Sequence, residues 1–325
     1  GWNATVYQIL NPGIGHWFPQ TRQAVVGYVE HAGYRIVAGA PVCAYEELPA
    51  VVSEFEADAA RKKLNVCYFG AEARLESVLG RSARHSMIHM GAQPSWDPGR
   101  WPRVYEHHAS LRAQLNRARN KGVKVVEWEP LRATSSIELH KCLAHWLKTR
   151  HFPTMHFLVE PETLERLFDR RIFVAERKDE VIGFLVASPV PQRNGWLIEQ
   201  MVRGRGAVNG MVELLIDTAV NSMSSSAYLT LGLAPLSPRA GSDQAPIWFQ
   251  YLRDLVRRYA SGFYNFEGLE QFKAKFQPEV WEPVYAIANS ATFPPQALYA
   301  IAAAFTQGNP ILACTRALRK RFIRK

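Results

Sequence analysis

The spacing of apolar residues along this chain switches repeatedly between a period of two and a period of three to four. Residues 34–42 predict a strand, 45–63 an amphipathic helix, 65–69 a second, buried strand, 74–79 a short helix and 85–91 a third strand. A turn-rich segment over 96–102 leads into a helix over 105–121 that stops at Gly122, and 123–128 alternates as an edge strand does. Residues 129–136 form the best internal boundary, with Ser135 or Ser136 placed to cap a helix running to about Thr149.

The second half repeats the alternation. Residues 172–176 and 180–189 predict a hairpin turning at Lys178-Asp179, 195–203 a strand, 204–210 a loop with three glycines and 211–223 a helix. Leu229, Leu231 and Leu233 alternate through a strand over 228–236 that stops at Pro235. In the run that follows, Leu269, Phe272 and Phe276 fall on one helical face and Glu267, Gln271 and Lys275 on another. The pattern gives an α/β protein of two similar units: 1–130, a connecting helix over 131–150, a second unit over 151–292 and a tail over 293–325.

Composition adds limits. With 47% hydrophobic and 21% charged residues in 325, the chain fills a sizeable core and is not of disordered type. The apolar run at 297–305 is far below the roughly 20 residues of a spanning helix. The chain opens at Gly1 without Met, so anything upstream is out of view, and no secretory signal is visible. Cys43, Cys67, Cys142 and Cys314 have neither metal-type nor redox spacing, which favours reduced thiols in a cytoplasmic setting. The histidines also lack metal-ligand spacing, so no metal is expected.

Charge is concentrated. Residues 100–124 hold seven Lys/Arg against one Glu, and the last ten residues hold six Lys/Arg and no acid, which leaves the rest of a chain of net charge +10 near neutral. Each segment implies an anionic partner such as RNA or anionic lipid, unless it is only a solvated face. The tail, with a near-uniformly apolar helix over 296–305 and a cation-rich end, suits an anionic membrane surface or, alternatively, a helix covering the domain.

Three motifs stand in order: Leu-Gly-Leu-Ala-Pro-Leu-Ser at 231–237, Asn-Phe-Glu-Gly-Leu followed by Phe-Lys-Ala-Lys-Phe within 265–276, and Trp-Glu-Pro-Val-Tyr at 281–285. Their order and wording resemble the C-terminal catalytic domain of the bacterial phosphatidylglycerol lysyltransferase (aminoacyl-phosphatidylglycerol synthase) family. The resemblance implies two tandem N-acetyltransferase-like (GNAT-type) domains joined by a helix. It implies transfer of an amino acid from aminoacyl-tRNA to a hydroxyl of a membrane lipid, with no cofactor, by a protein peripheral to the inner face of the cell membrane. An anionic phospholipid and aminoacyl-tRNA are the implied partners. The glycine loop alone also fits an acyl-CoA-dependent N-acyltransferase, and the charge alone fits a non-catalytic tRNA- or membrane-binding adaptor.

An aminoacyl ester is already activated, so its transfer needs alignment, one proton relay and a steadied oxyanion rather than a nucleophilic side chain. The sequence has no Ser/His/Asp or Cys/His arrangement that demands one. The loop 204–210 permits close backbone approach, and the helix after it offers free N–H groups to a negative centre. By resemblance, Ala-Val-Asn-Gly-Met-Val-Glu at 207–213 matches the family's Ala-Pro-Asn-Gly stretch and its following acid, with Val208 in place of proline. Asn209 and Gly210 are therefore candidate substrate contacts and Glu213 a candidate catalytic acid, though Asn209 could be only a cap. Glu213, Asp217 and Asn221 form one polar stripe that either meets water or lines a cavity. Glu199 and Arg203, four apart on a strand, are expected on one face to meet an ammonium and a phosphate, or else each other. Lys273 and Lys275 cannot share a face, and by resemblance Lys273 and Glu267 join the catalytic set. Arg112, Asn116 and Arg119 share a helix face suited to tRNA phosphates. Arg150 and Met155 lie in a segment similar to one that lines the substrate in relatives.

Overall fold

In the computed structural model, which describes residues 1–150, 155–241, 246–251 and 265–312, the period-two runs become strands of one mixed sheet. The first half supplies β1 (Gly15–Trp17), β2 (Val26–His31), β3 (Tyr34–Ala38), α1 (Leu48–Arg61), β4 (Asn65–Ala71), α2 (Ala73–Leu79) and β5 (Ser86–Trp96). Next come α3 (Trp101–His107), α4 (Ala109–Asn120), β6 (Lys124–Trp128), α5 (Pro130–Ser135) and α6 (Ile137–Thr149). The second half contains β7 (Arg171–Arg177), β8 (Glu180–Val190), β9 (Gly195–Arg203), α7 (Met211–Ser222), β10 (Tyr228–Thr230), β11 (Ala234–Pro235), α8 (Phe266–Ala274), β12 (Val280–Ala288) and α9 (Pro295–Thr306).

One local pattern occurs twice. A hairpin leads to a strand, a helix crosses over, and the next strand returns parallel: β2–β3–α1–β4 in the first half and β8–β9–α7–β10 in the second. Each crossover helix forms because its apolar residues hold a 3.6 period. In α1 these are Leu48, Val51, Val52, Phe55 and Ala59; in α7, Met211, Leu214, Leu215, Ala219 and Val220. The sheet order is β1-β2-β3-β4-β12-β5-β10-β9-β8-β7-β6, with β11 also on β5. β12, the last strand in sequence among the described residues, is therefore threaded between β4 and β5 of the first half.

Several predicted boundaries move for identifiable reasons. The helix expected over 105–121 is two helices, because His108 leaves helical geometry (φ −116°, ψ 86°) and Arg112 reaches back to the carbonyls of Tyr105 and Glu106 that end α3. Ser136 does cap α6, accepting the Leu139 N–H at 3.2 Å. The apolar helix α9 buries Ala297, Ala300, Ile301 and Ala304 in a cluster with Ile36, Phe69 and Phe157, so it belongs to the core. The cation-rich end after it lies outside the described residues, as do Cys314 and His151.

Candidate functional site

β9 and β10 run parallel for only three pairs, Gly195–Tyr228, Trp196–Leu229 and Leu197–Thr230, and then separate. The chain after Thr230 keeps to β5, and β9 continues alone on that side to Arg203. Pairing with β5 itself lapses between Thr230–Ser95 and Ala234–Ala92, opposite Gln93 and Pro94, and Pro94 has no N–H to give. The result is a V-shaped crevice at the carboxyl ends of a parallel pair, the usual place for a ligand in an α/β sheet. The loop 204–210 starts at its open end.

Lys273 holds one wall of this crevice. Only 3% exposed, it donates from Nζ to the carbonyls of Gly232 and Leu233, each at 2.8 Å, which the lapse in pairing would leave without donors. Gly232 turns there with φ +69°, and its N–H goes to Thr230 Oγ1 at 3.0 Å. Burial brings the Lys273 ammonium down to about 7. Lys275, two residues on, points elsewhere: its Nζ lies 2.6 Å from Glu213 Oε1 and 2.8 Å from Gln114 Oε1. The two lysines part as their spacing requires.

On the polar stripe of α7, Glu213 and Asp217 are buried and paired, while Asn221 at its far end is exposed. Glu213 takes Lys275. Asp217 accepts Trp101 Nε1 at 3.0 Å and Arg119 Nη2 at 3.0 Å, and Asn221 bonds back to the Asp217 carbonyl at 2.7 Å. The stripe fastens α7 to α3, α4 and α8. Gly210 allows this closeness: it sits at φ +90°, and a Cβ there would lie 2.1 Å from the Gln114 carbonyl oxygen.

The remaining predicted residues do not converge on one cavity. Val186 pairs with Gln200 and Ala187 with Ile198, so Glu199 is the extra residue of a β-bulge, which breaks the alternation expected to align it with Arg203. Glu199 turns inward to Arg170 Nε (2.5 Å) and Gln8 Nε2 (2.5 Å), whereas Arg203 stays exposed at the end of β9. Asn209 is exposed beside Gly210. Glu267 is exposed in the first turn of α8, which Asn265 caps by accepting the Gly268 N–H at 2.8 Å. Arg150 ends α6 with its guanidinium 4.3 Å from the Trp146 ring, and Met155 is half-buried. Of the three residues expected on RNA, Arg112 caps α3, Arg119 is tied to Asp217 while remaining exposed, and Asn116 is exposed; Arg103, Arg117, Lys121 and Lys124 are exposed as well.

Sequence reasoning missed a polar knot at the closed end of the V. Arg193 bonds both oxygens of Glu282, at 2.8 and 2.5 Å, and its guanidinium lies 3.4 Å from the Tyr228 ring centre. Gln93 Nε2 and the Tyr228 hydroxyl also donate to Glu282, at 3.1 and 3.3 Å. Glu72, 3% exposed, accepts the Ala4 N–H at 2.7 Å and lies 3.5 Å from Arg193. Burial pushes the Glu72 carboxyl up to about 7, while Arg193 and the other donors hold Glu282 below the usual carboxylate range against the opposing effect of its own burial. Glu282 within Trp-Glu-Pro was the one available signal. The structure also joins Ser82 and Glu56 through His85, each 2.9 Å from a ring nitrogen, but Ser82 Oγ already accepts the Arg84 N–H in a tight turn. Among the described residues, no group of three or more His, Cys, Asp or Glu is placed to hold a metal ion.

Fold and crevice together define a mixed α/β protein whose sheet opens at the carboxyl ends of a parallel strand pair. The chain belongs to the family described as phosphatidylglycerol lysyltransferase, C-terminal, whose model matches residues 3–288. It is 24% identical over 276 residues to the phosphatidylglycerol lysyltransferase of Bacillus subtilis strain 168, covering 83% of this chain but only 31% of that protein. The chain thus spans about a third of that relative's length. Its fold is similar to the C-terminal domain of a proposed lysylphosphatidylglycerol synthetase from Agrobacterium fabrum (TM-score 0.80, 20% identity, 95% of this chain and 94% of that one). It is also similar to L-PGS from Bacillus licheniformis (TM-score 0.73, 19% identity, 98% and 92%).

Proposed function

We propose that this protein transfers an amino acid from aminoacyl-tRNA to a hydroxyl of a membrane lipid such as phosphatidylglycerol, at the inner face of the cell membrane. The observation that carries the reading is the crevice between β9 and β10, with its Lys273-held wall, in a chain whose family is named for lysyl transfer to phosphatidylglycerol. The twice-used hairpin–strand–helix–strand pattern supports two tandem GNAT-like units, but the bounds expected from the sequence shift, because β12 and α9 pack into the first unit rather than closing the second or forming a tail.

In this reading the aminoacyl ester lies along the unpaired edge of β9. Asn209 and the Gly210 turn approach it at the open end, and Arg203 meets a phosphate there. Lys273 acts as a positioning residue by fixing the 232–233 carbonyls. Glu213, Glu267, Arg150 and Met155 remain candidates around that end, with Glu213 acting through its pairing to Lys275. Glu199 shapes β9 from within. The tRNA backbone is held by Arg103, Asn116, Arg117, Lys121 and Lys124, while Arg112 and Arg119 keep α4 in place. Contacts of this kind position RNA without reading its sequence.

The test is direct. Incubating the protein with mixed charged tRNAs and a lipid extract should yield aminoacylated lipid by mass spectrometry, and Arg203→Ala should reduce it about 10²–10³-fold, the usual effect of removing one well-placed charge. Neutralising Arg117 and Lys121 together should weaken tRNA binding and lower its salt slope by about two. Tight acetyl-CoA binding with no aminoacylated lipid would replace this reading with an N-acyltransferase.

A further inference from the structure

The first half carries a groove of its own beyond the parallel pair β3/β4, whose strands stay paired through Ala38–Phe69. An open groove of about 530 Å³ is bounded by Tyr45, which follows β3, by Ala73, Arg74 and Ser77, which follow β4, and by Trp2 and Gln192. It lies beside the segments that follow the two strands, the loop before α1 and the start of α2. No carboxylate lines it. The Arg74 guanidinium lies 5.1 Å from the Tyr45 ring centre and 5.9 Å from that of Trp2, and it bonds the Gln192 side-chain oxygen. Ser77 Oγ is 2.9 Å from the Tyr45 hydroxyl. The carboxyl next in sequence, Glu72, is buried and turned to the Ala4 N–H and Arg193, so it does not cancel the Arg74 charge at the groove.

We propose that this groove binds the phosphodiester headgroup of a membrane glycerophospholipid. A planar guanidinium matches phosphate oxygens two at a time, and Arg74 can exchange its single Gln192 contact for them. Gln192 offers its amide N–H groups to a glycerol, and Ser77 Oγ, which already donates to the Arg74 carbonyl at 2.9 Å, offers an acceptor lone pair. Trp and Tyr rings, apolar in body and polar at one edge, suit the level where headgroups meet acyl chains. The same geometry disfavours a nucleotide base, because the guanidinium already sits against both rings and leaves no bare pair of faces for a base to enter. The inference rests on the lipid half of the proposed function and assigns that lipid a place separate from the β9/β10 crevice.

The test measures binding of dihexanoyl phosphatidylglycerol, kept below its micelle concentration, to the full chain. Arg74→Ala should weaken binding about tenfold, Arg74→Lys should restore part of it, and Trp2→Ala should weaken it several-fold, with melting temperatures near the parent's. A single-stranded oligoribonucleotide should bind all four proteins equally. Unchanged lipid binding in both Arg74→Ala and Trp2→Ala overturns the proposal, as does a loss confined to the oligoribonucleotide. Arg74-dependent lipid binding in a protein that transfers no amino acid would keep the groove and remove the transfer reading. Transfer that survives Arg74→Ala, with lipid binding unchanged, would do the reverse.

Discussion

The Lys275 ammonium sits 2.6 Å from the Glu213 carboxylate, joining the end of α8 to the first turn of α7 across the rim where the glycine loop begins. Both side chains are largely sheltered, so the pair is a fastening between elements rather than a surface contact. It also sets the surroundings of the acid that the family motif singles out.

Removing both members should therefore cost less than the two single losses added together. Glu213→Gln and Lys275→Met should each destabilise by about 1–3 kcal/mol, and the double variant by less than their sum. Urea denaturation of the four proteins supplies the cycle. Additive effects would mean that the two groups do not interact in solution.

Gly210→Ala should be among the most damaging single changes in the second half. It combines an unfavourable backbone angle with a contact of 2.1 Å to the Gln114 carbonyl oxygen, and carbonyl backbone does not move aside cheaply. A loss of at least about 2 kcal/mol is expected. A folded variant of parental stability would show that α4 and α7 can separate freely.

Lys273 should make stability rise with pH on the alkaline side. Its folded value of about 7 lies below the unfolded value of about 10.4, so over that window the unfolded chain holds a proton the folded one lacks, and raising pH favours folding. The stability of the parent relative to Lys273→Met should grow between pH 7 and 10. A flat difference would mean that the buried amine keeps its ordinary proton affinity.

Glu72 should act with the opposite sign. Its folded value of about 7 exceeds the unfolded value of about 4.3, so folding takes up a proton between them and stability falls as pH rises through that window. The parent should lose ground to Glu72→Gln at up to about 1.4 kcal/mol per pH unit from about pH 4.5 to 7, and hold constant above. Urea midpoints at four pH values in this range are enough to see it.

Much of this was legible in the chain because it is local. The 3.6 period wrote out α1, α6 and α7, a continuous apolar run wrote out the buried strand β4, and the Ser135-Ser136 pair announced a cap. What was hidden depends on partners far away in sequence. Residues 280–288, read only as carrying the Trp-Glu-Pro-Val-Tyr motif, form a nine-residue strand because β4 and β5 supply ladders on both sides. The bulge at Glu199 is set by its register against β8, which spacing within β9 cannot reveal. Arg112 and Arg119 look like RNA contacts by composition, and only the placement of α3 and of Asp217 shows where their guanidinium groups go. Lys273 and Lys275 had to diverge, but which way each would turn depended on a lapse in pairing beside Pro94.

The threading of β12 between β4 and β5 also bears on the order of events as the chain is made. Both neighbours are synthesised long before residues 280–288 exist, so through most of synthesis they present facing edges with unmet N–H and C=O groups. Such edges recruit other strands, including those of neighbouring nascent chains. The first half can therefore close its sheet only after the second half has been delivered, and the protein should fold slowly, as a unit, and late. Versions cut short before Val280 should gather in aggregates even though every residue of the first half is present.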